Sequence, residues 1–439
     1  MEIKSNGNPE EGSKPANGAT GAPADKPKSG KSPAEPQAAP QAAASAPAAT
    51  KRRVQQSNLF YADAEEVNMI DTNDDFDYLN LPGSLQRKQS MRGFDPEYNN
   101  IVDYIVKITR QIWKEKDIGL IYETYSHNVS VHKGLLNSHG VNEVVAGTLQ
   151  TLHAFPDRKG LGWSVIWSGN DEEGFFTSHR GKSMGTNIGD SLYGPATNKK
   201  VVFRTTADCM ILNNKIYEEW LVMDTFHMVQ QLGLDPVEVA KGLAKGTRTL
   251  TAPLHFGFPE TAEIGLPPKI YRRQFEHFEI GDFLLEMINR VWERRSFNFV
   301  DKFYDPNAVV HYVCNRDLIG MAEIKGMFVS FFASIPNGKT HIERITCNRR
   351  GSDADWDVAI RWRVQGTHEG MGYFGRPSGK PIEIFGINHY KIKAGKIIEE
   401  WFLFDGIEVL RQIYMEADGG VQNAAAAVAG GDGSFSGVS

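Results

Sequence analysis

Residues 218–224 read EEWLVMD and residues 399–405 read EEWFLFD, so the chain carries one strand-like run, closed by a carboxylate, twice. Side chains alternate along a strand, which puts Glu218, Trp220, Val222 and Asp224 on one face and Glu399, Trp401, Leu403 and Asp405 on its twin. With the tryptophans and aliphatics lining a pocket, Asp224 and Asp405 would sit in an apolar wall. Desolvation raises a carboxyl pKa there and suits the group to moving protons near neutral pH. A plainer role competes. Each Asp stands just before an amphipathic run, and Glu408 follows Asp405 at the offset of a capping box, where an Asp stabilises a helix without any chemistry.

Partners for these carboxylates follow from spacing. His389 precedes Asp405 by the same interval at which Asp208 precedes Asp224, each on the preceding strand of a hairpin. Cross-strand neighbours at that interval predict an Asp–His pair in one copy and an Asp–Asp pair in the other, with different proton chemistry. His179 and His368 stand in the segments SHRG and GTHEG, which are read as matched between the copies, and both join the candidate catalytic set. His132 and His311 end matched strands. With Trp220, Trp401, Glu218, Glu399 and Tyr373 they form the candidate substrate-binding set. For all of these the competing role is packing: a histidine satisfied in a sheet, or an aromatic in a core.

Whole domains position these residues, because the repeat extends far beyond one strand. Trp113 matches Trp292, His132 matches His311, Pro156 matches Pro336 and Trp220 matches Trp401, all at nearly the same interval, which exceeds a third of the chain. That period is too long for a solenoid. Each copy opens with helices of i, i+3, i+4, i+7 apolar spacing, stops a later helix before Pro156 or Pro336, and then runs through alternating strands. Helices followed by strands predict α+β: two tandem cone-shaped barrel domains, each a curved antiparallel sheet covered by helices. The expected boundaries are a disordered Ala/Pro-rich arm at 1–55, a lead-in at 56–97, domains at 98–233 and 272–416, a linker at 234–271, and a disordered tail at 417–439.

The motifs resemble the SnoaL-like polyketide cyclases of the nuclear transport factor two-like cone fold. Copy two shows GTHEG at 366–370, GRPSGK at 375–380 and EEWFLFD; copy one shows SHRG at 178–181, GPATNK at 194–199 and EEWLVMD, with Asn198 where the second glycine is expected. The resemblance implies that the motif Asp is an acid/base taking a proton alpha to a carbonyl, with no cofactor. It covers roughly 98–233 and 277–414. It also implies pairing of the two domains through their sheets, an intrachain pseudo-dimer with further homo-oligomers possible. The expected activity is cofactor-independent proton transfer on a small, largely apolar carbonyl or hydroxyl compound, as in a cyclase, isomerase or lyase. A hydrolase whose Asp activates water, or a non-catalytic binding module, is the alternative. The hydrolase would need an inward Asp-Arg-Asp-like cluster, and strand parity places no Arg inward.

Composition bounds the rest. The first fifty residues hold 13 Ala and 8 Pro and no aromatic residue, too little apolar surface to offset the entropy of ordering. Three scattered cysteines give neither a disulfide framework nor zinc spacing, and no other metal cluster is visible. A formal charge of −6 without a basic stripe gives no reason to expect nucleic acid as partner. No secretory h-region and no long unbroken apolar run are present, so a cytoplasmic protein without membrane contact is expected. GMGYFG at 370–375 fits a dinucleotide motif in letters only, since no helix is expected after it.

Overall fold

A computed structural model of the chain describes residues 89–134, 137–246, 268, 270–272, 279–350 and 355–415. The expected arm, the tail, and most of the lead-in and linker lie outside the described residues.

Copy one runs α1 (Ile101–Arg110), a π-helical turn at Gln111–Glu115, α2 (Leu120–Thr124), β1 (Tyr125–His132), β2 (Ser138–His139), α3 (Val141–Ala154), β3 (Lys159–Asn170), β4 (Gly174–Thr186), β5 (Lys200–Leu212), β6 (Lys215–Met223), α4 (Thr225–Leu232) and α5 (Pro236–Gly246). Copy two repeats the order with α6 (Glu279–Met287), a π-helical turn at Ile288–Glu293, α7 (Val300–Phe303), β7 (Tyr304–Tyr312), β8 (Arg316–Ile319), α8 (Gly320–Ala333), β9 (Lys339–Arg349), β10 (Trp356–Thr367), β11 (Pro381–Lys393), β12 (Lys396–Phe404) and α9 (Gly406–Tyr414). The α+β class is as expected. The helix α5 falls inside the segment read as a linker and packs on α9.

The two six-stranded sheets have the same order, β2-β1-β6-β5-β4-β3 and β8-β7-β12-β11-β10-β9. They are not wholly antiparallel: β1 runs parallel to β6, and β7 to β12. The chain reaches the last strand only after a helix and four further strands, so the last strand pairs with the first by a long crossover and not a hairpin. Two-residue turns fix the register of the last hairpins. Asn213 and Asn214 (φ 49° and 63°) and Ala394 and Gly395 (φ 48° and 73°) adopt the left-handed pair that suits strand twist.

That register corrects one expectation. Asp208 stands opposite Trp220, and His389 opposite Trp401. Asp224 lies beyond the ladder, its N–H donating to the Arg204 carbonyl. A second correction concerns the histidine match. With the strands aligned by their pairing, His179 corresponds to Ile360, and His368 to Asn187. His368 and Asn187 do the same job: their backbones pair with Lys380 and Lys199, and their side chains hold Ser378 and Thr197.

The sheets meet through their outer faces, and the contacts are reciprocal. Arg361 of β10 lies 3.5 Å over the Trp220 ring, and Arg180 of β4 lies 3.3 Å over the Trp401 ring. The repeat maps each of these pairs onto the other. The Trp167 backbone N–H donates to Asn348 Oδ1 at 3.0 Å and Asn348 Nδ2 to the Trp167 carbonyl at 2.8 Å, a further pair of bonds between the sheets. Each sheet is therefore buried on two sides, by its own helices and by the other sheet.

Interior side-chain size separates the two copies. Copy two is filled: Trp292, Trp362, Phe328, Phe331, Phe402 and Phe404 are all below 2% exposed, and the Trp292 and Trp362 rings meet edge-on at 5.1 Å. Trp362 lies over Gly386, against whose backbone its ring leaves no room for a Cβ. Copy one has Gly181, Leu221 and Met223 where the strands of copy two have Trp362, Phe402 and Phe404, and Thr148 and Thr151 where α8 has Phe328 and Phe331.

Copy two still buries a polar cluster. Glu400 is 0% exposed and accepts hydrogen bonds from Tyr304 Oη (2.7 Å) and Asn388 Nδ2 (2.8 Å). Burial raises its pKa to about 7, against the pull of these donors. The folded state therefore keeps a proton that an unfolded Glu releases above about 4.5, so this contribution is full below that value and lost as pH rises through about 7. Urea unfolding at pH 5 and pH 8 should show wild type losing more stability across that window than Glu400→Gln. Equal losses would mean that Glu400 ionises normally.

Candidate functional site

The space that aromatics occupy in copy two is a cavity of about 910 Å3 in copy one. That volume suits a small molecule. Its walls are α1, α3, and the inner faces of β4, β5 and β6, with Asp405, Ile407 and Glu408 of copy two closing one side. The inner face of β6 is Glu219, Leu221 and Met223, the opposite parity to the tryptophan face. Among the described residues no cluster of three or more His, Cys, Asp or Glu is placed to hold a metal ion. No described helix is long and apolar enough to cross a membrane.

Glu219 is the carboxylate that the β6 register aims into the cavity. Tyr125 Oη donates to its Oε2 at 3.1 Å. Burial raises the Glu219 pKa, and Lys133, the Tyr125 hydroxyl and His132 offset this only in part. Lys133 lines the same wall, its own pKa lowered by burial. Tyr125 and Glu219 correspond to Tyr304 and Glu400, so the repeat carries a Tyr–Glu pair inside each cone: sealed in copy two, open to a cavity in copy one. The signal was available as two matched positions at the repeat interval, but the parity chosen from Trp220 turned Glu219 away from the pocket.

The candidates from sequence divide between cavity and interface. His179 lines the cavity, and burial lowers its pKa to about 4, leaving it neutral at physiological pH. Asp405 borders the cavity from copy two. It is also the N-cap of α9: its Oδ1 accepts from Ile407 N–H (2.9 Å), Glu408 N–H (3.0 Å) and the Thr225 hydroxyl. Burial raises its pKa to about 7 despite those donors. Asp224, 0% exposed, caps α4 through His227 N–H and accepts from Cys314 N–H of copy two at 2.7 Å. It does not line the large cavity.

The remaining candidates belong to the contact between the sheets or to copy two. His132 Nε2 meets Glu218 Oε1 at 2.9 Å and stacks on Trp220; His311 Nε2 meets Glu399 Oε1 at 2.8 Å and stacks on Trp401. Each cluster supports the tryptophan that the other copy's arginine covers, and none of its members lines the cavity. His389 Nε2 meets Ser178 Oγ across the interface at 2.8 Å, and burial holds its pKa well below the usual histidine range. Asp208 pairs with Arg361 at 3.1 Å, and Arg361 Nε also bonds Glu343 at 2.8 Å. The Asp–Arg–acid cluster that parity excluded therefore exists, but between the sheets. Tyr373 borders a smaller cavity of about 290 Å3 in copy two with Tyr312 and Arg316, and His368 is a loop fastener outside both cavities. Arg158 and Tyr193, absent from the candidates, both line the large cavity.

A model of the SnoaL-like polyketide cyclase family matches residues 283–413, which lie in copy two. The match points to cyclase- or isomerase-type chemistry without a cofactor. Similar solved structures include a candidate SnoaL-like polyketide cyclase from Jannaschia sp. CCS1, 16% identical, with 34% of this chain covering 99% of that one at a TM-score of 0.29. AclR, a candidate hydroxylase from Streptomyces galilaeus, is 19% identical, with 35% of this chain covering 94% of it at 0.27. A SnoaL-like polyketide cyclase from Agrobacterium tumefaciens C58 is 20% identical, with 30% covering 97% at 0.25. No curated protein sequence matches the chain.

Proposed function

We propose that copy one is a cofactor-independent acid–base catalyst acting on a small, largely apolar carbonyl compound, and that copy two is its filled, fused partner. The observation that carries this reading is Glu219, a buried carboxylate with a raised pKa, oriented by Tyr125 and facing a cavity with Lys133 on the same wall. A base in such surroundings takes a proton alpha to a carbonyl near neutral pH. The Lys133 ammonium stabilises the enolate oxygen that forms. Returned by Glu219 to another carbon of the conjugated enolate, the proton completes an isomerisation; given to a β-substituent as the enolate expels it, the proton completes an elimination; in a cyclase the enolate carbon attacks a second carbonyl of the substrate and the proton goes to the alkoxide oxygen that forms. The reciprocal Arg–Trp contacts support reading the tandem as a fused pseudo-dimer.

A second reading keeps Asp405 as the proton carrier, because it too borders the cavity with a raised pKa. Deuterium uptake at the α-carbon of 1-tetralone in D2O, followed by proton NMR, separates the two. Asn is as good an N-cap as Asp, so Asp405→Asn should fold like wild type. It should retain most of the exchange that Glu219→Gln loses. The reverse order would make Asp405 the base.

Filling the cavity gives an independent check. Leu221→Phe with Met223→Phe copies the interior of copy two and should bring exchange down to the buffer background with thermal stability maintained. Exchange at the wild-type rate in this variant would place the chemistry elsewhere.

A further inference from the structure

The carboxylates and the cations around the cavity differ in how they are satisfied. All five carboxylates of the lining hold a hydrogen-bond donor. Glu219 has the Tyr125 hydroxyl and Asp405 has its cap donors. Glu408 is gripped by Arg411, at 2.8 Å from Nε and 2.6 Å from Nη2. Glu143 accepts from His139 N–H at 2.7 Å, and Asp190 from Ala196 N–H at 3.0 Å. The two lining cations are Lys133 and Arg158, and neither side chain has a carboxylate or other acceptor in bonding range among the described residues. Arg158 Cζ lies 3.9 Å over the Trp113 ring, a contact that holds the guanidinium without using its N–H donors. Burial lowers it only to about 10, so it stays charged at neutral pH. Lys133 feels the charge of Glu219 without bonding to it, whereas no carboxylate among the described residues acts on Arg158, and a cation so held in an apolar enclosure is costly unless something else neutralises it.

We propose that the ligand of this cavity is an anion, a carbonyl compound carrying a carboxylate, whose charge is bound by Arg158 and Lys133. This rests on the acid–base reading above and narrows its substrate class. The guanidinium fork matches a carboxylate in two-pronged geometry, whereas a neutral amide of the same shape gains no charge-assisted bond. Lys133 shares a wall with Glu219, so binding the charge there brings the carbon beside the carboxylate toward the base.

Isothermal titration of 1-naphthoate against 1-naphthamide, a charged and a neutral ligand of one shape, tests the proposal. Wild type should bind the carboxylate about tenfold or more tightly than the amide, the scale of one charge-assisted contact. Arg158→Gln and Lys133→Gln should each reduce that preference, and Arg158→Lys should retain part of it. Thermal unfolding of each variant shows whether it is folded, so the conclusion never depends on one substitution. Equal binding of the two ligands by wild type overturns the anion assignment. Exchange of 1-tetralone with no carboxylate preference would overturn this proposal and leave the acid–base reading standing. A carboxylate preference with no exchange would uphold this proposal and remove that reading.

Discussion

Glu219→Gln should slow α-proton exchange in 1-tetralone by about 10²–10⁴-fold, the range a positioned general acid–base group supplies. The fold should survive. Gln keeps the shape and still offers an oxygen to the Tyr125 hydroxyl, while the ionisable group whose burial is unfavourable is gone. The pH profile carries a second signature. A base works only when deprotonated, and burial raises the Glu219 pKa, so the rate should climb with pH through an inflection above the ordinary Glu value of about 4.5. That limb should vanish in Glu219→Gln. An unchanged limb would assign it to another group, with Asp405 the first to test.

Arg361→Ala should cost about 3–5 kcal/mol of stability, the penalty for stranding a buried charge. The Arg361 side chain is 5% exposed and holds both Asp208 and Glu343 while covering Trp220. Asp208 is 4% exposed, and its second oxygen has no hydrogen-bond partner among the described residues. Truncating Arg361 thus leaves a carboxylate between two sheets without its ion-pair partner, with Arg344 as a remaining cation acting on it. Replacing both members, Asp208→Leu with Arg361→Met, should recover much of the loss, since well-packed apolar residues replace buried pairs at little cost. Urea unfolding of the single and double variants measures this. A loss below about 1 kcal/mol in Arg361→Ala would show the pair to be solvated as surface pairs are.

Most of the architecture was legible in the chain. Matched tryptophans, histidines and prolines, recurring at one domain-length interval, exposed the duplication. The helices stopped where proline requires it, and the two-residue turns set the last hairpins. The cap role of Asp405 could be read from the position of Glu408, and the structure uses it. The site was less legible. EEWLVMD was read on the parity of Trp220, which meets the second sheet, and so passed over Glu219, which lines the cavity.

The sequence by itself determined that this protein is one α+β unit built twice, with a carboxylate-bearing last strand in each copy. Only the tertiary structure decided which face of that strand meets empty space. Alternation identifies the inside of a sheet when its other side meets water, because only then does one parity turn polar. Here Trp220 and Val222 face the second sheet while Leu221 and Met223 face the cavity, so both parities are apolar and neither marks the inside. Which cone stays open depended on packed volume: Gly181, Leu221 and Met223 leave space where Trp362, Phe402 and Phe404 fill it, and close packing of a shared fold turns that difference in size into a cavity or a core.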